Sequence, residues 1–265
     1  TYTATDAAGN TTTATRTVTV VEPTKPTLTT GLVAYYPFNG NAKDESGNGN
    51  DGETRGAKLS EDRFGASNSS YYFDGNNQIV VKNTIVKGNT DWTMSFWIKD
   101  DTFVEKNDHA IISTYPGYSG DGIMLREING ELQFIYYGGY IGNTSNFSTR
   151  YNIDLKSTFW KDNNWHQITF VSSSKDKCTY FYYDDDIEYK FDSYHNTINS
   201  IPSLYLGGRD VLGKYKGWLD DIRIYNRALS EAEVTALYEL EKTEPVVVSI
   251  SPDSGSFGSG AGSGE

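Results

Sequence analysis

Residues 217–238 read GWLDDIRIYNRALSEAEVTALY, and this stretch decides the fold. Its first half alternates as a strand does. Ile222 and Ile224 point to one face, Arg223 and Tyr225 to the other. Asp220 has the parity of Ile222 and Ile224, so strict alternation predicts a carboxylate on the apolar face. Such a group is costly to bury unless it is paired or binds a metal. The second half predicts a helix. Ser230 stands at the cap, Glu233 completes a capping box and Leu229 staples to Val234. Val234, Leu237 and Tyr238 form its apolar stripe, the helix is expected to end near Lys242, and Pro245 forbids continuation. A strong strand followed by one small helix predicts the closing strand of a β-domain with a helical clasp.

Composition agrees. The chain has 265 residues, 14% of them aromatic, with 20 Tyr, 12 Phe and 26 Gly. Such usage favours strands and turns. The formal net charge of −12 argues against duplex nucleic acid or an anionic membrane as a partner. With a single cysteine, Cys178, the chain can form no internal disulfide and carries no cysteine-rich zinc motif. No apolar run is long enough to span a bilayer, so no membrane insertion is expected. The chain opens mid-strand and is expected to be a module, monomeric in itself, excised from a longer protein.

In order along the chain, residues 1–21 (TYTATDAAGNTTTATRTVTVV) predict a hairpin around Gly9-Asn10. Residues 22–30, with Pro23 and Pro26, predict an extended linker, and 31–242 the main domain. Residues 243–265 are expected to be a linker or the start of a further repeat. In 92–99, Trp92, Met94, Phe96 and Ile98 share one face, and Thr93, Ser95, Trp97 and Lys99 the other. In 164–171, Trp165, Gln167, Thr169 and Val171 oppose His166, Ile168 and Phe170. Residues 140–157 are polar and weakly periodic and predict a long loop. Residues 39–52 (NGNAKDESGNGNDG) supply hard oxygens and permissive glycines, although the spacing is not that of an EF-hand.

Spread across the main domain, GLVAYYPFNGNAKDESGNGNDG (31–52), YYFDG (71–75), WTMSFWIK (92–99), NWHQITF (164–170), LYLGG (204–208) and GWLDDIRIYNRALSEAEVTALYE (217–239) together resemble the bacterial laminin-G-like, concanavalin-A-like domains. One segment departs from that pattern: YYDDDIEY lacks the glycine of the family's usual hairpin. The resemblance implies an all-β, two-sheet antiparallel jelly-roll sandwich with one short C-terminal helix. It also implies a structural calcium, which would be held by Asp44, Asn48, Asn50, Asp74 and Asp220 where the first and last strands lie side by side. The hairpin of residues 1–21, with Asp6, Gly9 and Asn10, is similar to the end of bacterial immunoglobulin-like surface repeats.

Catalysis is not expected. Jelly-roll glycosidases alternate carboxylates on one strand face; only Asp184, Asp186 and Glu188 approach this, and they begin at a hairpin tip. His166 is expected to be a core histidine. Binding remains, with a glycan or polysaccharide as ligand in a secreted or cell-surface protein. The candidate patch is Tyr115, Tyr118, Asp121, Arg126, Tyr136, Tyr137 and Tyr140. An adhesion or spacer module that binds a cell-surface protein is the alternative.

Overall fold

The computed structural model describes residues 2–14, 27–83, 86–87, 91–101, 109–114, 122–128, 131–137, 148–153, 162–191, 200–201, 203–208 and 213–243. Near the start, β1 (Tyr2–Thr5) and β2 (Thr11–Ala14) form a separate two-stranded hairpin. Its turn is closed by Asp6, whose carboxylate accepts from Ala8 N and Asn10 N at 2.9 Å each. The strands that follow are β3 (Leu32–Tyr36), β4 (Glu53–Arg55), β5 (Lys58–Ser60), β6 (Ser70–Asp74), β7 (Gln78–Val81), β8 (Val86–Lys87) and β9 (Trp92–Asp100). Next come β10 (His109–Ser113), β11 (Gly122–Ile128), β12 (Glu131–Tyr137), β13 (Ser148–Ile153), β14 (His166–Ser173), β15 (Cys178–Tyr183) and β16 (Asp186–Phe191). Last are β17 (Ser200–Ile201), β18 (Leu204–Leu206), β19 (Gly213–Lys214), β20 (Lys216–Tyr225) and the helix α1 (Glu231–Glu241).

Two sheets carry the domain. One runs β13-β12-β11-β10-β18-β7-β4, with β19 beside β10. The other runs β16-β15-β14-β9-β20-β6-β5, with β3 also on β20. First and last strands of the domain therefore do lie side by side, as the resemblance implies. Met94, Phe96, Ile98, Ile168, Phe170, Leu219 and Ile222 of the second sheet pack onto Ile112, Leu125, Phe134, Leu204 and Leu206 of the first, in one continuous core. The faces read from 92–99 and 164–171 are those observed.

The outer face of the second sheet is partly covered by α1. Val234 and Leu237 pack with Leu229 on Val171, Tyr182 and Tyr225. The capping box forms as its residues predict: Ser230 Oγ accepts from Glu233 N, and Glu233 Oε2 accepts from Ser230 N. Arg227 adds two ion-pair contacts to Glu233, and these with the cap hold its carboxyl near 2.

Three local features differ from the sequence reading. Leu28, inside the stretch read as linker, is buried in the α1 cluster. Residues 148–153 form β13, an edge strand within the expected loop; its register against β12 holds Ile153 in the core despite the polar composition around it. The glycine-less turn at Asp184 is made by aspartate itself. Asp184 takes φ 55° and its carboxylate accepts from Gln167 N, which supports a conformation that Asp tolerates better than most residues.

Candidate functional site

The loop after β5 begins the site. Asp62 Oδ1 accepts from Phe64 N at 2.8 Å and Ala66 N at 2.9 Å, a tight turn that projects Arg63 and Phe64 over the outer sheet face. Arg63 is nearly buried there. Its guanidinium lies 4.6 Å from the Phe64 ring centre and 4.5 Å from that of Trp97. Nη1 donates to Asp220 Oδ2 at 2.8 Å, Nη2 to Asp221 Oδ2 at 2.7 Å, and Nε to the Glu241 carbonyl at 2.8 Å.

A β-bulge places these acids. The β20 register slips between Asp220 and Arg223, and Asp221 adopts φ 44°. Leu219 and Ile222 consequently both face the core, while Asp220 stands opposite Trp97 on the outer face. The parity reading of Asp220 is corrected accordingly: the extra residue of the bulge turns its carboxylate away from the apolar side, where Arg63 meets it. Burial and the adjacent Asp221 push its carboxyl up, with Arg63 opposing.

Glu241, on the last turn of α1, completes the floor. Its carboxylate accepts from Trp97 Nε1 at 2.9 Å, Gln167 Nε2 at 2.8 Å and Arg223 Nε. Burial and the charge of Asp221 push its carboxyl up to about 7 against the pull of Arg223. The Arg223 guanidinium carbon sits over Tyr35, 3.7 Å from the ring centre, and the Tyr35 hydroxyl donates to Asp221.

Above this floor is a cavity of about 580 Å³. Trp97 stacks on Tyr238 at 5.8 Å and 15°, with Phe64 and Trp165 as further aromatic lining. The rim carries Lys99, Lys242, Asn163 and Asn164. The rim loop is fixed through His166, whose two ring nitrogens sit 3.1 Å from Asp162 and 3.2 Å from Asp184, with the ring stacked on Tyr183. Burial lowers the pKa of His166, but the two carboxylates outweigh it and the net shift is upward. Both nitrogens are partnered and the ring is only partly buried, where the sequence led us to expect a core histidine. Aromatic faces with amide and ammonium groups at the rim suit a polar ring with one apolar face.

The residues that the resemblance assigns to calcium do not converge. Asp44 is the hub of its own loop: Oδ1 accepts from Tyr35 N and Ser46 N, and Oδ2 from Asn50 N. Burial raises its pKa, yet these hydrogen bonds win and the net shift is downward. Asn48 and Asn50 donate to the carbonyls of Leu32 and Val33. Asp74 Oδ1 accepts from Asn76 N, and the residue lies opposite Lys216 on β20, whereas Tyr35, which anchors Asp44, lies opposite Arg223. Seven residues of strand separate those positions, about 23 Å. Asp220 is already bound to a guanidinium. Among the described residues no three His, Cys, Asp or Glu side chains form a group able to hold a metal ion. The donor set does not fit calcium, and no role is derived for it.

Of the predicted ligand patch, Arg126 is 7% exposed and its guanidinium is held by Gln133 Oε1 at 2.7 Å and 3.1 Å. That removes it from an open binding surface, because the cross-strand amide and burial occupy it. The backbones of Tyr136 and Tyr137 pair with Ile123 and Gly122. Tyr115, Tyr118, Asp121 and Tyr140 lie outside the described residues. The pocket itself went unread in the sequence, although a trace was there: Trp97 and Lys99 sit on the non-core face of a central strand, and Trp165 opens the next.

No curated protein sequence matches the chain. Among solved structures, the binding domain of Paraclostridial Mosquitocidal Protein 1 aligns with a TM-score of 0.67 at 19% identity, over 80% of this chain and 52% of that one. The receptor-binding domain of the botulinum neurotoxin C/D mosaic serotype aligns at 0.64 and 16%, over 81% and 52%. A binding domain of botulinum neurotoxin DC, solved with rat synaptotagmin II, aligns at 0.61 and 16%, over 81% and 52%. The chain spans about half the length of these structures, and the likeness is one of fold. The laminin G profile described as the concanavalin A-like lectin/glucanases superfamily matches residues 73–235, more than half of the chain. With its two antiparallel sheets and clasping helix, the chain belongs to the concanavalin A-like lectin/glucanases superfamily.

Proposed function

We propose that this domain is a non-catalytic, glycan-binding module of an extracellular or cell-surface protein. The observation that carries this reading is the pocket of Trp97, Tyr238, Phe64 and Trp165 with its rim of Asn163, Asn164, Lys99 and Lys242. A sugar ring stacks its apolar face on such aromatics while its hydroxyls meet amides and ammonium groups. Binding is favoured over hydrolysis because the acids at the site are otherwise engaged. Asp62 closes its turn, and Glu241 lies beneath Trp97 among three donors. Asp186 and Glu188 are exposed beside the turn, while Asp184 supports the turn itself. A glycosidase instead needs two carboxyl groups facing one cleft. A fold neighbour, botulinum neurotoxin type C, is described as entering cells through two ganglioside molecules, which is compatible support from the same architecture.

A protein partner is the second reading, favoured by the neighbour solved with synaptotagmin II. In that reading the module is an adhesion or spacer unit, and the β1–β2 hairpin belongs to an adjoining immunoglobulin-like repeat. Glycan-array screening of the wild type and Trp165→Ala separates the two. Loss of array binding in the variant supports the pocket. Silence on glycans with binding to a surface protein rejects it. Loss only in Tyr137→Ala would move the site to the other sheet.

A further inference from the structure

The outer face beyond α1 carries a second aromatic feature, next to the pocket. Strands β9, β20, β6 and β5 are neighbours in that order. Their register sets Lys99 opposite Trp218, Trp218 opposite Tyr72, and Tyr72 opposite Lys58. Directly opposed residues share a face, so these four side chains make one row across the strands. At the usual strand spacing the row is roughly 14 Å long. Lys99 also rims the cavity, so the row starts where the pocket ends.

The row is held in place. Trp218 Nε1 donates to Ser60 Oγ at 3.0 Å, and the Tyr72 hydroxyl donates to Asp101 Oδ2 at 2.7 Å. The two rings are 4.8 Å apart, tilted by 45°. The Lys99 ammonium lies 5.2 Å from the Trp218 ring centre. Two acids face Tyr72: Asp101, paired with Lys216 at 3.1 Å, and Asp74, which lies opposite Lys216 on β20. Neither Trp218 nor Tyr72 belongs to a buried apolar cluster, and both are only partly buried. Packing therefore does not account for two large aromatics with a lysine at each end on this face.

We propose that the row extends the pocket into a track for a linear polysaccharide that carries carboxylates and is bound along its length. Sugar rings lie on Trp218 and Tyr72, and uronate carboxylates meet Lys99 and Lys58. This rests on the glycan reading of the pocket. Rings held in place, with Lys99 already over one of them, lose little freedom on binding, which makes a long ligand worth more than a short one.

The test is calorimetry with oligogalacturonides of one to six units beside cello-oligosaccharides of the same lengths. Affinity for the acidic series should rise with length, and Trp218→Ala should remove roughly tenfold from the longest oligomers while sparing the shortest. Lys58→Glu, an exposed change that leaves the packing alone, should weaken only the long acidic oligomers. Trp165→Ala should weaken every length. Affinity that does not grow with length, or growth that survives both Trp218→Ala and Lys58→Glu, overturns the track and leaves the pocket standing. Length-dependent binding that ignores Trp165→Ala keeps the track and removes the pocket. Equal binding of the neutral series, or silence toward uronates while the array shows pocket binding, overturns the carboxylate assignment.

Discussion

Two acidic regions that one metal was expected to join are stabilised in different ways. Around Asp44, main-chain amides do the work: three N–H groups converge on one carboxylate and close the loop. Around Asp220, a side chain from a distant loop does it, because Arg63 reaches two carboxylates and a helix carbonyl at once. Local amides can organise a partly solvated acid cheaply. A buried acid beside a second acid needs a full positive charge, and a planar guanidinium supplies it with directed donors.

The largest effect that would break this contrast is at Arg63. Arg63→Met should cost about 3–5 kcal/mol, since it leaves Asp220 buried without its partner and Asp221 with the Tyr35 hydroxyl alone of the two. Chemical denaturation of the variant checks it, and a loss below 1 kcal/mol would show that the acids are neutral in the folded protein. Asp44→Ala should cost less, about 1–3 kcal/mol, because its orphaned amides are partly open to water. A loss there equal to that of Arg63→Met would erase the distinction.

The two regions should also answer pH with opposite sign. Glu241 is raised from 4.5 to about 7, so its contribution to stability is fully present below 4.5 and is lost as the pH rises through 7. Asp44 is lowered from 3.8, so its contribution is present above that value and is lost as the pH falls below it. Denaturation across pH 4 to 8 should show less loss at the alkaline end in Glu241→Gln than in the wild type. Parallel curves would overturn the assignment. The smallest expected effect is that of calcium. Thermal melts with millimolar calcium and with chelator should coincide, and a rise that Asp220→Ala abolishes would restore the metal.

Regular elements were legible because their patterns are local. Alternation in 92–99 and 164–171 assigned each side chain its face, and the capping residues of 230–234 marked the helix start. The site was less legible because a bulge decides it. Asp220-Asp221 bears no glycine to announce the extra residue, and one inserted residue reverses every parity argument upstream. Its partner, Arg63, lies 157 residues from Asp220 in sequence, in a loop with no periodicity. Leu28 was likewise read by its proline-rich neighbours, whereas the α1 cluster decides its burial.

The C-terminal turn of α1 has a mechanical consequence. Tyr238 and Lys242, one turn apart at the helix end, line the pocket, and Glu241 between them bonds to Trp97 from beneath. Unwinding that turn would take Tyr238 off Trp97 and withdraw Glu241 from Trp97 and Gln167 in one step, so the helix end and the cavity wall stand or fall together.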